Sequence, residues 1–427
     1  MLSVCLIVRN EAENLGCCLE SVRGIADEIV LVDTGSTDDT VAIAAEYHAK
    51  VFSFSWKDDF AAARNEALCH ASGDWILVLD ADESLAEGSK DELRLLLEAP
   101  QAEAYSLELV NLTGKGEGRQ IARFVRLFRN RPTFRYEGRI HEQILPSLER
   151  AGISPFPAAV RIVHRGYLNE ALAARDKYRR NLELLLKELE GDPENPFLHF
   201  NTGQTYKLMN KKEEAEKHYA LSLRGLPKKA LPPYLGYLYF SFVDLLREQK
   251  KFPAAIALAE EGRKRFPRYP DLDFAYGQAL LEANLPAEAL EIFENCLQLE
   301  GFLHEGGSDP GVTSYKAWNA IGVCHERAGR FEEALEALQK AIDCSPQGDV
   351  EGLLNRGILL SKIGRGGEAD QDLGEVLKID DTRFEAWQNL GSNALQRGDL
   401  PRARVAFERA HLLFPSPDLR FLLEKIR

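Results

Sequence analysis

Two aspartates directly follow a strongly apolar segment of the chain. Asp80 and Asp82 are separated by one alanine and come after residues 75–79, whose composition is typical of a buried β-strand. Residues two positions apart in an extended chain point to the same side, so both carboxylates can face one ligand. Two hard oxygen donors suit Mg²⁺ or Mn²⁺ bridging a diphosphate. Such a pair alone is usually a solvated turn, but its place behind a buried strand favours metal binding.

Strand and helix patterns alternate through the N-terminal part of the chain. The predicted strands are residues 3–8, 28–33, 50–54 and 75–79. The predicted helices are residues 11–22, a segment that begins near 37, and residues 59–71. Strands that are apolar without alternation are covered on both faces, which predicts an α/β domain with a mostly parallel sheet. Ligands bind such sheets at the carboxyl ends of the strands, where Asp33 and Asp80 lie.

Four motifs in this part of the chain occur together in one protein family. They are VCLIVRNE at residues 4–11, VDTGSTD at 32–38, DFAAARN at 59–65 and GDWILVLDADE at 73–83. In this order they resemble the family 2 glycosyltransferases, which have the Rossmann-like GT-A fold, and especially the members that carry tetratricopeptide repeats behind the catalytic domain. The resemblance implies a GT-A glycosyltransferase domain over residues 1–168.

The resemblance also implies which residues bind the donor. Asp33 would bind the base or ribose of the nucleotide, and Arg64 would lie near the nucleotide and its acids. Arg9 and Glu11, in the first motif, would belong to the same nucleotide-sugar site. The plain alternative for Arg64 is a surface salt bridge.

Metal ligands are implied in the same way. Asp82 would be the main ligand of a divalent cation, Mn²⁺ or Mg²⁺, and Asp80 would contact the metal or the ribose. GT-A enzymes often complete the metal shell with a late histidine, and His164 occupies that place, although a lone histidine is more often structural. The implied chemistry is an inverting in-line displacement in which the cation stabilises the departing nucleoside diphosphate.

The hydroxyl or thiol of an acceptor needs a group that takes its proton. Residues 136–142 (YEGRIHE) resemble a segment that repeat-bearing members carry after the Asp-x-Asp pair, and Glu142 is the candidate general base. Many other family members have an aspartate at this place, so His141 is kept as the rival. If this segment is a strand, the two adjacent side chains face opposite ways and only one reaches the acceptor.

One basic stretch interrupts an otherwise acidic chain. Residues 115–139 contain eight basic and two acidic side chains, and the basic ones include Arg123, Arg126, Arg129 and Arg135. These arginines are expected either to balance charge on an exposed hairpin or to hold the diphosphate or an acidic acceptor.

The C-terminal half contains an internal repeat. Six copies of a pattern resemble the tetratricopeptide repeat (TPR), a helix–turn–helix unit. Small residues mark the second helices at Ala215, Ala255, Ala289, Ala334, Ala369 and Ala403, and the corresponding first-helix positions are Gly203, Val243, Gly277, Gly322, Gly357 and Gly391. We therefore predict a linking helix at 170–190, within a linking segment 169–195, and an all-α TPR superhelix at 196–427. Insertions are predicted near 228–235 and 301–314.

Such a superhelix has a concave surface that binds other molecules. Trp318 and Trp387 are expected in its stacking core. Asparagines on the first helices are expected to contact the backbone of a bound peptide; they are Asn201, Asn319, Asn355 and Asn389. The array would dock the acceptor, a partner protein or a second copy of the chain.

Composition excludes several classes of protein. The 427 residues carry a net charge of −14, which argues against a nucleic-acid partner. No apolar run approaches the roughly 18–20 residues of a transmembrane helix. The apolar residues 2–8 are interpreted as a strand and not as a signal peptide. Seven scattered cysteines without a Cys-x-x-Cys pair predict buried thiols and a cytoplasmic location.

The main expectation is a metal-dependent, inverting glycosyltransferase that uses a nucleotide-diphospho-sugar, with a UDP-sugar as the expected donor. The acceptor is a peptide or protein, a polysaccharide or a lipid-linked sugar. One rival is a TPR scaffold whose GT-A domain binds a nucleotide sugar without catalysis. The other is a nucleotidyltransferase of similar fold, which would release pyrophosphate.

Overall fold

The computed structural model describes residues 1–113, 118–165, 171–226, 231–301, 307–345 and 349–426. The strands are β1 (Leu2–Val8), β2 (Glu28–Asp33), β3 (Lys50–Ser53), β4 (Trp75–Val78), β5 (Glu83–Leu85), β6 (Ala104–Thr113), β7 (Gly118–Arg129) and β8 (Phe156–His164). The helices between them are α1 (Ala12–Val22), α2 (Thr40–Glu46), α3 (Phe60–His70), α4 (Ser89–Glu98) and α5 (Leu145–Arg150).

The rest of the described chain is helical. A long helix, α6 (Ala171–Gly191), comes first. The repeat helices are α7 (Pro196–Leu208), α8 (Lys212–Gly225), α9 (Leu235–Glu248), α10 (Phe252–Arg265), α11 (Pro270–Glu282), α12 (Pro286–Leu297), α13 (Tyr315–Arg327), α14 (Phe331–Cys344), α15 (Val350–Lys362), α16 (Gly366–Ile379), α17 (Phe384–Gln396) and α18 (Leu400–Leu413). A short helix, α19 (Pro417–Lys425), follows them. None of the described helices is both long and apolar enough to cross a bilayer.

The strands form one mixed sheet in the order β3-β2-β1-β4-β7-β6-β8-β5. The pairs β1–β2, β1–β4, β2–β3 and β6–β8 are parallel. The pairs β4–β7, β6–β7 and β5–β8 are antiparallel. The predicted α/β domain is therefore confirmed, and its second half adds more antiparallel pairing than the first four strands indicate.

The predicted elements are present with slightly different ends. The strand predicted at 50–54 ends at Ser53, and the helix predicted from near residue 37 begins at Thr40. The later start follows from Asp38, which accepts hydrogen bonds from the backbone N–H of Thr40 at 3.1 Å and of Ala12 at 3.2 Å. Asp38 therefore ties the loop after β1 to the start of α2. The predicted linking helix is α6, and its predicted first residue lies outside the described residues.

Both faces of the sheet are covered. Alternate residues of β1 enter different cores, with Leu6 packing with α1 and Cys5 packing with α3. This two-sided burial explains why the strands are apolar without alternation. Of the seven cysteines, all free, Cys17, Cys69 and Cys344 are exposed, so the prediction of buried thiols is wrong for these three.

A buried carboxylate joins the amino ends of the central strands. Glu28 accepts hydrogen bonds from Ser3 Oγ at 2.5 Å and from the Ser72 backbone N–H at 2.8 Å, and it pairs with Lys50 Nζ at 2.5 Å. Ser3 Oγ in turn accepts from Gly73 N at 2.8 Å. A Cβ on Gly73 would lie 2.7 Å from that oxygen, so the close approach requires glycine. These contacts fix the chain segments that enter β1, β2, β3 and β4.

The described chain divides into two compact units. One comprises Met1–Leu245 and Leu303–Asp309, and the other comprises Leu246–Phe302 and Pro310–Arg427. The boundary predicted at residue 168 lies outside the described residues, as do parts of both predicted insertions, and the division of the chain into functional domains stays a prediction.

The repeat positions behave as close helix contacts. The alanines that mark the second helices, from Ala215 to Ala403, are all fully buried. The first-helix glycines pack on large side chains. A Cβ on Gly203 would lie 2.5 Å from the Tyr219 ring, and a Cβ on Gly391 would lie 2.6 Å from Phe407. Small residues at these places therefore let the two helices of a repeat approach each other.

The asparagines proposed to bind peptide make hydrogen bonds inside the array. Asn201 donates to Phe197 O at 3.0 Å, and Asn389 donates in the same way within its own helix. Asn355 Nδ2 donates to Asn319 Oδ1 at 2.8 Å. Their contact with a peptide stays a prediction.

The buried state of Glu28 leads to a test of stability. Burial alone would raise its pKa, but hydrogen bonds from Lys50, Ser3 and Ser72 lower the pKa from 4.5 to about 2. The carboxylate therefore stabilises the fold above pH 4.5, and this contribution is lost as the pH falls toward 2. We expect Glu28→Gln to lower the free energy of unfolding at pH 7 by roughly 2 kcal/mol. Urea unfolding at pH 7 and pH 3 should give a smaller difference from the wild type at the lower pH, and an equal difference would contradict this account.

Candidate functional site

Loops from three neighbouring strands meet at one edge of the sheet. β1 is parallel to β2 and to β4, so their carboxyl ends share this edge. Asn10, in the left-handed conformation with φ 55°, ties the first two loops together. Its backbone N–H donates to Ser36 Oγ at 3.0 Å, and its Oδ1 accepts from Thr37 N at 2.7 Å. The loops that carry the first two motifs therefore hold each other in place.

The residues predicted to bind the nucleotide sugar lie at this edge. Asp33 ends β2, is buried, and accepts from Ser36 N at 3.0 Å. Arg9 is exposed directly after β1. Glu11 is partly buried, and burial followed by the nearby charge of Asp82 raises its pKa, although Asn14 donates a hydrogen bond to it.

Arg64, on α3, joins two of the predicted acids. Its Nη2 donates to Asp80 Oδ1 at 2.7 Å and its Nε donates to Glu142 Oε1 at 2.5 Å. The guanidinium lies 5.6 Å from the centre of the Tyr136 ring. Arg64 is buried, and its Nη1 has no hydrogen-bond partner within the described part of the chain. The two N–H groups of this nitrogen are therefore buried without an acceptor among the described residues.

A second buried arginine holds the other side of Asp80. Arg126 Nη2 lies 3.2 Å from Asp80 Oδ2 and 2.6 Å from Glu83 Oε1. It reaches this place because β7 runs antiparallel to β4 with Leu77 opposite Leu127. The expectation of an exposed hairpin is therefore wrong for Arg126, whose side chain is only 13% exposed.

The other arginines of the basic run do not meet at this cluster. Arg123 pairs with Glu108 at 2.6 Å, and Arg129 lies 4.3 Å from the centre of the Trp75 ring. Arg135 donates to a neighbouring backbone carbonyl. Lys115, at the start of the run, lies outside the described residues.

Burial and ion pairing set the charges of the cluster. Burial would raise the pKa of Asp80, but the guanidinium groups of Arg64 and Arg126 hold it well below its usual range. Burial raises the pKa of Glu83, although Arg126 acts against this. Glu83 also accepts from the backbone N–H of Asp80 at 2.9 Å, so it fixes the first residue of the Asp-x-Asp pair. The Asp80 side chain is still 35% exposed, which keeps it accessible to a ligand.

Asp82 and His164 form a separate contact beside this cluster. His164 Nε2 lies 3.0 Å from Asp82 Oδ2, and His164 Nδ1 lies 2.8 Å from Asn111 Oδ1. The backbone register brings them together, because β8 pairs with β5 at Glu83 and with β6 at Asn111. Burial opposes the charge of His164, but the hydrogen bond to Asp82 raises its pKa overall.

The donor set of this contact fits a divalent cation. An amide oxygen only accepts, so His164 Nδ1 carries a proton toward Asn111, and Nε2 faces Asp82 either with a second proton, which the raised pKa favours, or with a lone pair that a cation can bind. A lone pair that faces a carboxylate needs a proton or a cation between them. Mg²⁺ commonly takes one or two protein ligands plus substrate phosphates. No group of three or more metal-ligating side chains occurs among the described residues, and the oxygens of Asp80 are bonded to the two arginines.

His141 and Glu142 lie in a tight loop. A β-bridge between Glu137 and Gln143 closes it, so the segment is a loop and not a strand whose opposite faces would separate the two side chains. His141 is exposed and has φ 54°, a strained conformation for a residue other than glycine. Glu142 turns inward to Arg64, with a side chain 12% exposed.

The sequence does not indicate that Glu83 and Tyr136 belong to this cluster, and it indicates Arg126 only as one member of a run of arginines. Glu83 closes the fourth motif, but nothing in its neighbours showed that it is buried. Tyr136 opens the YEGRIHE segment and its aromatic type gives no sign of the contact with Arg64. Arg126 has the one available signal, because it shares a strand face with the buried Phe128.

Comparison with known proteins identifies the two parts of the chain. The model of the family described as Glycosyl transferase family 2 matches residues 3–156. Tetratricopeptide repeat descriptions match residues 240–297 and 315–347. The chain carries a family 2 glycosyltransferase domain followed by tetratricopeptide repeats.

Similar proteins include one named for its tetratricopeptide repeats and one named as a glycosyltransferase. A TPR repeat-containing protein of Synechococcus elongatus is 37% identical over 265 residues, which are 60% of this chain and 64% of that protein. The SPbeta prophage-derived glycosyltransferase SunS of Bacillus subtilis is 27% identical over 280 residues, 65% of this chain and 66% of that protein. The chain thus spans just under two thirds of the length of these curated relatives. A solved tetratricopeptide repeat protein from Parabacteroides merdae covers 60% of this chain and 94% of its own, with 16% identity and a TM-score of 0.48.

The buried cluster of the glycosyltransferase domain can be tested by removing one cation. Arg126→Met leaves Asp80 and Glu83 without this partner, and we expect a loss of about 3 kcal/mol in the free energy of unfolding. Arg131→Met is the matched control, because Arg131 pairs with Glu103 on the surface and its loss should cost less than about 1 kcal/mol. Urea unfolding of both variants measures the difference. Equal losses would contradict the buried role of Arg126.

Proposed function

We propose that this protein is a glycosyltransferase that moves a sugar from a nucleotide-diphospho-sugar, with UDP-sugars as the first candidates, to an acceptor with inversion at the anomeric carbon. The observation that carries the proposal is the Asp80–Arg64–Glu142 contact beside the Asp82–His164 pair at the carboxyl edge of the sheet. This edge is where open α/β sheets bind ligands, and the family 2 glycosyltransferase domain supports the same chemistry.

The nucleotide would lie over the loops after β1 and β2. Asp33 would bind the ribose or base, since Ser36 N already orients its carboxylate. Arg9 and Glu11 line the neighbouring loop. Arg64 would lie near the nucleotide and its acids, where Asp80 and Glu142 hold its guanidinium.

Asp82 and His164 would hold a divalent cation, Mn²⁺ or Mg²⁺, with Asp80 beside them. When bound, the cation would act as a Lewis acid that stabilises the departing diphosphate. Asn111 would keep Nε2 of His164 directed at the cation through its hydrogen bond to Nδ1.

The acceptor would be deprotonated from the loop that contains His141 and Glu142. Glu142 is already held beside Asp80 through Arg64, so it would both position that guanidinium and take the proton. His141 is the rival base on the exposed side of the loop. The acceptor class, a peptide or protein, a polysaccharide or a lipid-linked sugar, and a cytoplasmic location belong to the proposal. The repeats would dock the acceptor, a partner protein or a second copy.

Sugar-nucleotide hydrolysis tests the donor site. We expect slow release of nucleoside diphosphate from one of a panel of sugar nucleotides with Mn²⁺, and we expect Asp82→Asn to reduce this release at least about 100-fold. Asp91→Asn, at an exposed surface site, should have no effect. Release of pyrophosphate would favour a nucleotidyltransferase. Tight binding without turnover over a panel of acceptors would favour a non-catalytic scaffold, and undiminished turnover by Asp82→Asn would refute the metal assignment.

The two candidate bases can be separated by matched substitutions. Loss of a general base costs about 10²–10⁴ in rate, so we expect this loss for Glu142→Gln and a smaller loss for His141→Gln. Turnover with an acceptor is compared with donor binding, measured by calorimetry, because loss of the base lowers turnover alone, whereas loss of the contact with Arg64 would also weaken donor binding. The opposite ranking of the two variants would assign the base to His141.

A further inference from the structure

Helix α6 packs against the glycosyltransferase domain through its C-terminal half. Leu184 and Leu185 form a buried cluster with Ile140, and Phe60 packs against it. The backbone N–H of Arg139 also donates to Glu188 on this helix at 2.7 Å. The helix is therefore anchored beside the loop that carries His141 and Glu142.

The anchored face of α6 changes character along the helix. Lys177, Arg180 and Leu184 are three and four positions apart, so they share one face. Leu184 is buried, whereas Lys177 and Arg180 are exposed. The Arg180 guanidinium still lies 5.5 Å from the centre of the Phe60 ring, which keeps it next to the domain. The two cations therefore border open space where the helix passes the site.

A third cation approaches this space from the sheet. Partial burial and the nearby guanidinium of Arg9 lower the pKa of Arg180. Lys177 lies within electrostatic reach of Glu11 and of His141. Together with the packing of Arg180 on Phe60, these electrostatic interactions indicate that the cationic face of α6 is near the loop that follows β1.

None of these cations is neutralised by a close ion pair. Among the described residues, Arg9, Lys177 and Arg180 make no salt bridge within 4.0 Å. By contrast, the neighbouring Arg179 pairs with Glu183 at 3.3 Å. Neighbouring like charges that make no close ion pair favour the binding of an anion.

We propose that Arg9, Lys177 and Arg180 bind the diphosphate of the nucleotide donor, so that helix α6 completes the donor site. The inference rests on the proposed function, and it adds Lys177 and Arg180, which lie outside the four motifs, to Arg9 of the first motif. The position favours the donor over an acidic acceptor, because Arg9 follows β1 directly and stands next to the loop of Asp33. The diphosphate would then lie between this cationic face and the carboxylates of the site, which would hold it through a divalent cation.

Calorimetry with graded phosphate content tests the proposal. The probes are UDP, UMP and uridine with Mn²⁺, and the full-length chain is used. We expect Lys177→Met and Arg180→Met each to weaken UDP binding about tenfold, to weaken UMP binding less, and to leave uridine binding unchanged. Methionine keeps the length of the side chain and the packing on Phe60. Arg179→Met is the matched control and should bind UDP as the wild type does.

The possible failures are distinct. Unchanged UDP affinity in both variants would overturn this inference alone. An equal loss for UDP and uridine would also overturn it, because the effect would then not come from phosphate. If the wild type binds none of UDP, GDP and ADP, the proposed function fails and this inference fails with it.

Discussion

Three carboxylates and two arginines share a poorly solvated space at the carboxyl ends of the central strands, and no member of this cluster can be left unpaired cheaply. An uncompensated buried ion costs several kcal/mol. Asp80 lies 16 residues from Arg64, 46 from Arg126, and Arg64 lies 78 from Glu142. The site therefore forms only when α3, β7 and the loop after it have all reached their final places. The site has its final geometry only in the completely folded domain.

A buried charge also organises the other end of the strands, but there it is negative and not positive. There one buried carboxylate, Glu28, gathers hydroxyl, backbone and ammonium donors from three chain segments. It fixes how the strands start, whereas Arg64 and Arg126 fix where they end. Apolar side chains on both faces of the sheet make up most of the buried surface. They do little to fix the register between strands, since they are similar in size and type. Polar groups that must be satisfied give each strand its position.

Part of the site and of the repeat array could be predicted from the sequence, and the rest depends on contacts between distant segments of the chain. Asp33, Asp80, Asp82 and Arg64 come from local motifs, and a strand that ends on an acid shows its direction in a few residues. The buried alanines of the repeats are predicted because each recurs with the period of the unit. The position of Arg126 depends on the antiparallel register of β7 against β4, which local composition does not determine. The loop of His141 and Glu142 is not predictable from these two residues, because the bridge that closes it joins Glu137 to Gln143 on either side of them.

The match to the glycosyltransferase family ends at residue 156, but residues beyond it also pack against this domain. Leu184 and Leu185 cover Ile140, and Glu188 holds the backbone at Arg139. A fragment that ended with the family match would expose this apolar surface and release the loop of Glu142. The family match and the contacts that hold this loop therefore end at different places in the chain. A piece of the chain that keeps the loop of His141 and Glu142 in shape must include the part of α6 that carries Leu184, Leu185 and Glu188.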